Sequence, residues 1–166
     1  MTGDGMERIL YRVYSSRRVS VALKIISHAS VFISVAAFLL LLTASYLEEP
    51  MLALKLCVAG AVPFAVVSAV RRLINAPRPY ELYSFYKVAP KGKGGQSFPS
   101  RHVFSSFTVA VLSWILSPWL TVAVSLVGVI LSVARVLLGI HFVRDVVAGA
   151  LVGVVSGLIG LSLIVF

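Results

Sequence analysis

Three short polar segments interrupt an otherwise apolar sequence, and their residue types suit phosphate chemistry. They occupy positions 71–79, 97–102 and 135–145. Arginine, histidine, serine and a carboxylate are groups with which proteins bind a phosphoryl group and transfer it. The candidate site residues in the three segments are Arg71, Arg78, Ser100, Arg101, His102, Arg135, His141 and Asp145.

The arginines of these segments indicate that an anion is bound. Guanidinium groups match phosphate oxygens in a bidentate way and stay charged at any workable pH. Arg71, Arg78 and Arg135 would repel one another in a poorly solvated site that held no anion. The hydroxyl of Ser100 and the backbone N–H groups that follow it, at the start of a helix, would add further donors.

The histidines and the carboxylate suit the chemical step itself. His141 and Asp145 are four residues apart, which makes them neighbours on a helix that begins near His141. A carboxylate that accepts from one imidazole nitrogen fixes the tautomer and leaves the other nitrogen free to attack. His102 lies in a different segment, where it could protonate the departing oxygen. The arginines would stabilise the charge of the transferring phosphoryl group.

The elements that must position these residues are membrane helices. Of the 166 residues, 59% are apolar and 13% charged, whereas soluble domains have roughly 45–50% and 25%. A crossing needs about 20 mostly apolar residues. We therefore expect an all-α fold, a polytopic transmembrane helix bundle forming one domain over residues 1–166. Its five spans are predicted at about 25–47, 51–70, 101–117, 119–138 and 145–166, with Ser117-Pro118 separating the third from the fourth.

Smaller features complete the predicted architecture. Residues 1–22 are interpreted as an amphipathic segment in the membrane interface, with Ile9, Leu10, Val13 and Tyr14 on one face. Gly149, Gly153 and Gly157 share one face of the last span, which would let a neighbouring helix approach closely. The glycine-rich run 91–95 is interpreted as a flap over the site.

The number of crossings places all three polar segments on one membrane side. With five spans, Lys55 is the only one of the 15 Lys and Arg residues near the other side. The positive-inside rule then makes the side of the site cytoplasmic. We expect an integral protein of the plasma (inner) membrane of a prokaryote.

The net charge of +9 bears on the partners. Basic residues stand at the ends of apolar runs, so anionic lipid headgroups and a phosphorylated substrate are expected partners, and nucleic acid is not. The single cysteine, Cys57, cannot form an internal disulfide. The sequence leaves the oligomeric state open.

The three segments resemble the motifs of the phosphatidic acid phosphatase type 2 superfamily. The family pattern is Lys-x6-Arg-Pro, then Pro-Ser-Gly-His, then Ser-Arg-x5-His-x3-Asp. This sequence reads Arg71-x6-Arg78-Pro79, then Pro-Ser-Arg-His at 99–102, then Ala-Arg-x5-His-x3-Asp at 134–145. It departs from the pattern at Arg71, where lysine is usual, at Arg101, where glycine is usual, and at Ala134, where serine is usual.

The resemblance implies the same roles that the residue types indicate. His141 would be the nucleophile, Asp145 its partner and His102 the acid, while Arg78, Ser100 and Arg135 would hold phosphate. Arg71 keeps the positive charge of the usual lysine, and Arg101 could add a phosphate contact. The implied activity is hydrolysis of a lipid phosphate or polyprenyl (di)phosphate through a phosphohistidine, with no metal or other cofactor.

Two alternatives remain open at this point. A lipid phosphotransferase would use the same residues and pass the phosphoryl group to another lipid instead of water. A non-enzymatic anion-binding membrane protein would also need arginines, but it predicts charges within the spans rather than at their ends.

Overall fold

Every regular element in the computed structural model is helical over the residues that it describes, 3–82 and 94–165. The α-helices are α1 (Gly3–Ser15), α2 (Arg17–Glu48), α3 (Pro50–Ile74), α4 (Pro79–Leu82), α5 (Arg101–Leu112), α6 (Pro118–Leu137) and α7 (Val143–Val165), and a 3₁₀ turn at Ser113–Ile115 follows α5. The predicted all-α class is confirmed. Most of the glycine-rich run interpreted as a flap lies outside the described residues.

Four helices are long and apolar enough to cross a membrane, namely α2, α3, α6 and α7. The helix predicted as the third of five spans, at 101–117, is shorter than expected. Helix α5 has 12 residues, and even with the 3₁₀ turn it extends roughly 22 Å, less than the ~30 Å hydrocarbon layer. It lies inside the bundle, where Val103, Phe104 and Leu112 are fully buried.

The helix ends follow from local sequence. Ser16 caps α2 by accepting from the backbone N–H of Val19. Because of this cap, α2 begins at Arg17, eight residues before the predicted start of the first span. Its 32 residues measure about 48 Å, so the basic first turns extend beyond the apolar layer. Helix α6 begins at Pro118, where Ser117 accepts from the N–H of Trp119, so the predicted break is present.

Helices α5 and α7 pack closely through the predicted glycine face. A Cβ atom on Gly149 would lie 2.6 Å from the Ser100 carbonyl oxygen, and one on Gly153 would lie 2.5 Å from that of Phe104. Neither position has room for a larger residue. This contact places the start of α5 against the start of α7, where two of the polar segments meet.

Helix α2 approaches its neighbours through small polar side chains, a feature that the sequence reading did not include. Ser27, Ser30 and Ser34 are buried along one face. The Ser34 hydroxyl lies 2.9 Å from the Ser106 hydroxyl of α5. Small residues allow close approach and satisfy each other's hydrogen bonds within an apolar bundle.

Helix α1 is amphipathic, as predicted, and its apolar face packs on the bundle. Leu10 and Val13 are buried, while Tyr11 is 62% exposed. The helix contacts α2 and α6. Its position in the membrane interface remains a prediction.

Candidate active site

The α6–α7 loop places His141 beside Asp145 in a fully buried position. Their relative exposures are 1% and 0%. The distance from His141 Nδ1 to Asp145 Oδ2 is 3.7 Å. The same Oδ2 accepts from the backbone N–H of Phe142 at 2.9 Å. The carboxylate is therefore fixed by its own loop and faces the Nδ1 side of the imidazole.

A third side chain, Ser97, lies between the two. Its hydroxyl donates to Asp145 Oδ2 at 2.5 Å and lies 3.3 Å from His141 Nδ1. Ser97 is itself completely buried. Ser97 belongs to the second polar segment, but its role is not predictable from sequence because a single serine carries no spacing signal.

The loop before His141 folds over the end of α6. The backbone N–H groups of Ile140 and His141 both point to the Arg135 carbonyl oxygen, at 3.1 and 3.4 Å. Gly139 has a φ of 63°, a left-handed conformation that favours glycine. Arg135 and His141 are thereby brought together although five residues lie between them.

Burial of the imidazole lowers the pKa of His141 below its usual value, although the nearby Asp145 carboxylate opposes this. The nearby charges of Arg78 and Arg135 lower the pKa further. The ring is consequently neutral at neutral pH. A neutral imidazole whose Nδ1 faces a carboxylate has its Nε2 lone pair available.

The second polar segment joins this loop at the start of α5. The Ser100 N–H donates to the Asp145 carbonyl oxygen at 2.9 Å. The Ser100 hydroxyl is buried and has no hydrogen-bond partner among the described residues. His102 follows Arg101 in α5. Burial lowers the pKa of His102 to about 3, and the charges of Arg135, Arg101 and Arg71 and the neighbouring His141 act in the same direction.

Arg71 joins the first segment to the second. Its Nη1 donates to the Pro99 carbonyl oxygen at 2.7 Å, and its Nη2 donates to that of Gln96. Only 6% of Arg71 is exposed. Each Nη atom carries a second hydrogen, so the guanidinium can hold this loop and still face an anion. The sequence pattern predicts phosphate binding for Arg71 but not its contacts with this loop.

Arg78 immediately precedes α4, and Arg101 is the first residue of α5. Arg78 Nε donates to the Gly95 carbonyl oxygen at 3.0 Å, and its guanidinium lies 5.8 Å from the centre of the Tyr80 ring. Glu81 accepts from the Gly95 N–H at 2.7 Å and closes the same turn. The Arg101 guanidinium lies over the Phe64 ring, 5.2 Å from its centre, so it is directed toward α3.

Two buried polar groups of the site, on Arg135 and Ser100, have no hydrogen-bond partner among the described residues. In the described part of the chain, the buried Nε of Arg135 and the buried hydroxyl of Ser100 make no hydrogen bond. A buried donor without a partner costs about 1–3 kcal/mol. An anion with several acceptor oxygens would satisfy both.

An apolar cleft leads away from this space between α2, α3 and α5. It has a volume of about 430 Å³. Arg101 and His102 stand at its polar end, and Phe38 and Phe64 belong to its apolar walls. Such a cleft suits a hydrocarbon chain whose polar end lies at the arginines.

Of the eight predicted site residues, the structure connects six through hydrogen bonds or shared loops and brings His102 and Arg101 beside them. Over residues 3–82 and 94–165, no three His, Cys, Asp or Glu side chains cluster so as to hold a metal ion. The alternative of an anion-binding protein predicted charges inside the spans. The arginines lie instead at one end of the bundle.

Known proteins resemble this chain in sequence and in fold. A lipid A 1-phosphatase of Porphyromonas gingivalis is 31% identical over 110 residues, which are 64% of this chain and 23% of that protein. The chain thus spans less than a quarter of that relative's length. The crystal structure of Aquifex aeolicus LpxE has a TM-score of 0.70 at 22% identity, with 93% of each chain covered.

A PAP2-type phosphatidylglycerolphosphate phosphatase from Bacillus subtilis aligns with a TM-score of 0.45 at 20% identity, over 97% of this chain and 94% of that one. Residues 52–165 match the family model described as the PAP2 superfamily. That range contains all three polar segments. The resemblance inferred from their spacing is therefore confirmed: the chain belongs to the PAP2 superfamily.

Proposed function

We propose that this protein is a lipid phosphatase that removes a phosphate group from a lipid phosphate without a metal ion. The observation that carries the proposal is the buried His141, which lies beside Asp145 and Ser97 and close enough to Arg78 and Arg135 for their charges to lower its pKa. A neutral nucleophile among fixed positive charges suits attack on a phosphorus atom whose oxygens are negative.

The reaction would run in two balanced steps. His141 Nε2 forms a bond to phosphorus, the bond from phosphorus to the lipid oxygen breaks, and His102 gives that oxygen a proton. Water then attacks the phosphohistidine, loses a proton to His102 and releases inorganic phosphate. The bound phosphate offsets the arginine charges around His102, which favours the protonated imidazole that the first step needs.

The lipid tail would lie in the apolar cleft between α2, α3 and α5. His102 lines the polar end of this cleft and is the residue proposed to protonate the leaving oxygen. The arginines bind only the phosphate, so the cleft must recognise the rest of the substrate. The Porphyromonas gingivalis relative is named a lipid A 1-phosphatase, and lipid A is accordingly one proposed substrate beside phosphatidate and polyprenyl (di)phosphates.

The test is phosphate release in detergent from a panel of phosphatidate, a polyprenyl phosphate, a polyprenyl diphosphate and lipid A. We expect activity that survives EDTA, is blocked by vanadate and falls at least about 1,000-fold in His141→Ala. Lys55→Ala, at the opposite end of α3, serves as the matched control. Full activity in His141→Ala would refute the nucleophile, and loss of activity in EDTA would refute the metal-free mechanism.

The membrane side is a separate part of the proposal. The charge distribution supports a site that faces the cytoplasm from the inner membrane of a prokaryote. The end of α7 would then lie on the outer side. The test is a reporter enzyme fused to the C-terminus. Activity of a reporter that works only outside the cytoplasm would support a site facing the cytoplasm. A cytoplasmic C-terminus would instead place the site on the outer face.

A further inference from the structure

Arg101 lies at the polar end of the apolar cleft between α2, α3 and α5. Its guanidinium lies 5.2 Å from the centre of the Phe64 ring of α3, and both side chains line the cleft. Arg71 and Arg78 instead donate to backbone carbonyl oxygens of the loop before α5. The sequence predicts a phosphate contact for Arg101, but its position suits the part of the substrate that enters the cleft.

The hydrogen-bond donors of the Arg101 side chain are unused. Among residues 3–82 and 94–165, this side chain makes no hydrogen bond and no ion pair, and no carboxylate lines the cleft. A guanidinium over an aromatic ring keeps its N–H donors, which lie in its own plane, available for an acceptor. Because Arg101 is half-buried, an acceptor from the ligand would stabilise this arrangement.

A second unused donor, the hydroxyl of Ser105, lies one helical turn beyond Arg101. Residues four apart share a helix face, and Ser105 lines the same cleft. Its hydroxyl makes no hydrogen bond in the described part of the chain, although serines inside helices commonly bond the carbonyl oxygen four residues back. The other two hydroxyls that line the cleft, those of Ser34 and Thr108, are both hydrogen-bonded.

The order of groups along a bound substrate indicates what these two donors meet. His102, proposed to protonate the leaving oxygen, lines the cleft beside Arg101. The atoms that follow the leaving oxygen therefore pass Arg101 and Ser105 before the chain reaches apolar walls such as Phe38 and Ala61. In a glycerolipid, the acceptors at that position are the ester carbonyl oxygens of the acyl chains. These oxygens are uncharged, which suits one guanidinium and one hydroxyl at the end of an apolar cleft.

We infer that Arg101 and Ser105 bind acyl carbonyl oxygens of the substrate and thereby act as specificity-determining residues. This inference rests on the proposed lipid phosphatase function. It gives Arg101 a contact with the ester linkage of the lipid rather than with the phosphate. Phe64 holds the guanidinium in place for that contact, so the aromatic ring acts through Arg101.

The experiment compares a diester phosphatidate with its diether analogue of the same chain length in one detergent. The two lipids share the phosphate and the chains, but only the diester has carbonyl oxygens. The value of kcat/KM for phosphate release is measured for both lipids, and their binding is measured by calorimetry in the His141→Gln background.

The test variants are Arg101→Gln, Ser105→Ala and Phe64→Leu. Arg72→Gln is the control, because it removes an exposed arginine from the same end of the bundle, outside the cleft. A general change in charge or stability alters both lipids equally, so the ratio between them reports the carbonyl contact.

The wild-type protein should prefer the diester about ten-fold, because a hydrogen bond from a charged donor contributes that much or more. Arg101→Gln should weaken use of the diester alone and remove most of this preference. Ser105→Ala and Phe64→Leu should each reduce the preference about three-fold, and Arg72→Gln should leave it unchanged. Equal use of the two lipids by the wild-type protein would overturn the inference. An equal loss for both lipids in Arg101→Gln would also overturn it and would indicate that Arg101 binds the phosphate.

Failure of the proposed function would give a different result. If neither lipid released phosphate, the phosphatase proposal would be wrong. The ratio of the two affinities in the His141→Gln background would still test the carbonyl contact, because binding is measured without turnover.

Discussion

The hydroxyl of Tyr14 donates to the carbonyl oxygen of Leu138 at 3.1 Å. It connects the amphipathic helix α1 to the loop that carries His141, three residues further on. Leu138 is almost completely buried, and its own N–H donates to the Ala134 carbonyl oxygen. The first helix of the chain thus helps to hold the loop of the proposed nucleophile.

Removal of this hydroxyl should loosen the His141 loop. A hydrogen bond of this kind contributes about 1 kcal/mol, so Tyr14→Phe should lower the melting temperature by about 2–4 °C and the turnover rate by a few-fold. Thermal unfolding and phosphate release in the same detergent measure the two effects. Tyr46→Phe, an exposed tyrosine at the other end of α2, is the control. Unchanged turnover in Tyr14→Phe would show that α1 does not position the loop.

Ser97 should matter for activity more than for stability. Ser97→Ala removes the donor to Asp145 Oδ2, and hydrogen bonds to charged groups contribute about 1.5–3 kcal/mol. We expect kcat to fall about ten- to one-hundred-fold with little change in KM. The control is Ser113→Ala, which removes another buried hydroxyl, bonded to the Val109 carbonyl oxygen, at the far end of α5. Equal losses of activity in both variants would rule out a specific role.

The pH dependence of the reaction should reflect the lowered pKa of His141. Because burial favours the neutral ring, the nucleophile stays available at pH 6.5 and is lost only at lower pH. Burial of the neutral ring affects the free energy of unfolding in the same direction. This contribution is present above the pKa of His141 in the unfolded state and is lost as the pH falls through its pKa in the folded state. A profile of kcat/KM from pH 4.5 to 8 should show its acidic limb below pH 6.5.

Asp145→Asn provides the check on that limb. The Asp145 carboxylate raises the pKa of His141, so removal of its charge should move the acidic limb to still lower pH while the plateau falls. A limb that moves to higher pH would contradict the assignment of this limb to His141.

The glycine face of α7 should tolerate no side chain. Gly149→Ala places a methyl group against the Ser100 carbonyl oxygen, and overpacking of this kind costs about 1–3 kcal/mol. Because Ser100 is displaced, we expect activity to fall even at temperatures at which the variant is still fully folded. Val155→Leu, an enlargement on the exposed face of α7, should leave both unchanged. Normal activity in Gly149→Ala would show that the α5–α7 contact does not position Ser100.

Much of this architecture was predictable from local sequence. Long apolar runs specify membrane helices because the backbone must satisfy its own hydrogen bonds in lipid. The break at Pro118 was predictable because proline lacks an N–H donor. Helix α2 begins at Arg17, before the predicted first span at about 25–47, since hydropathy marks the apolar layer, whereas the Ser16 cap decides where the helix begins.

The residue types and spacing of the three polar segments were sufficient to indicate the chemistry and the family, because a phosphoryl group requires arginines, an imidazole and a carboxylate. Only the tertiary structure decided which partners these residues take. Ser97 reaches Asp145, and Arg71 reaches the carbonyl oxygens of Pro99 and Gln96. These contacts join residues far apart in the chain, and they depend on how closely α2, α5 and α7 pack, which no local pattern encodes.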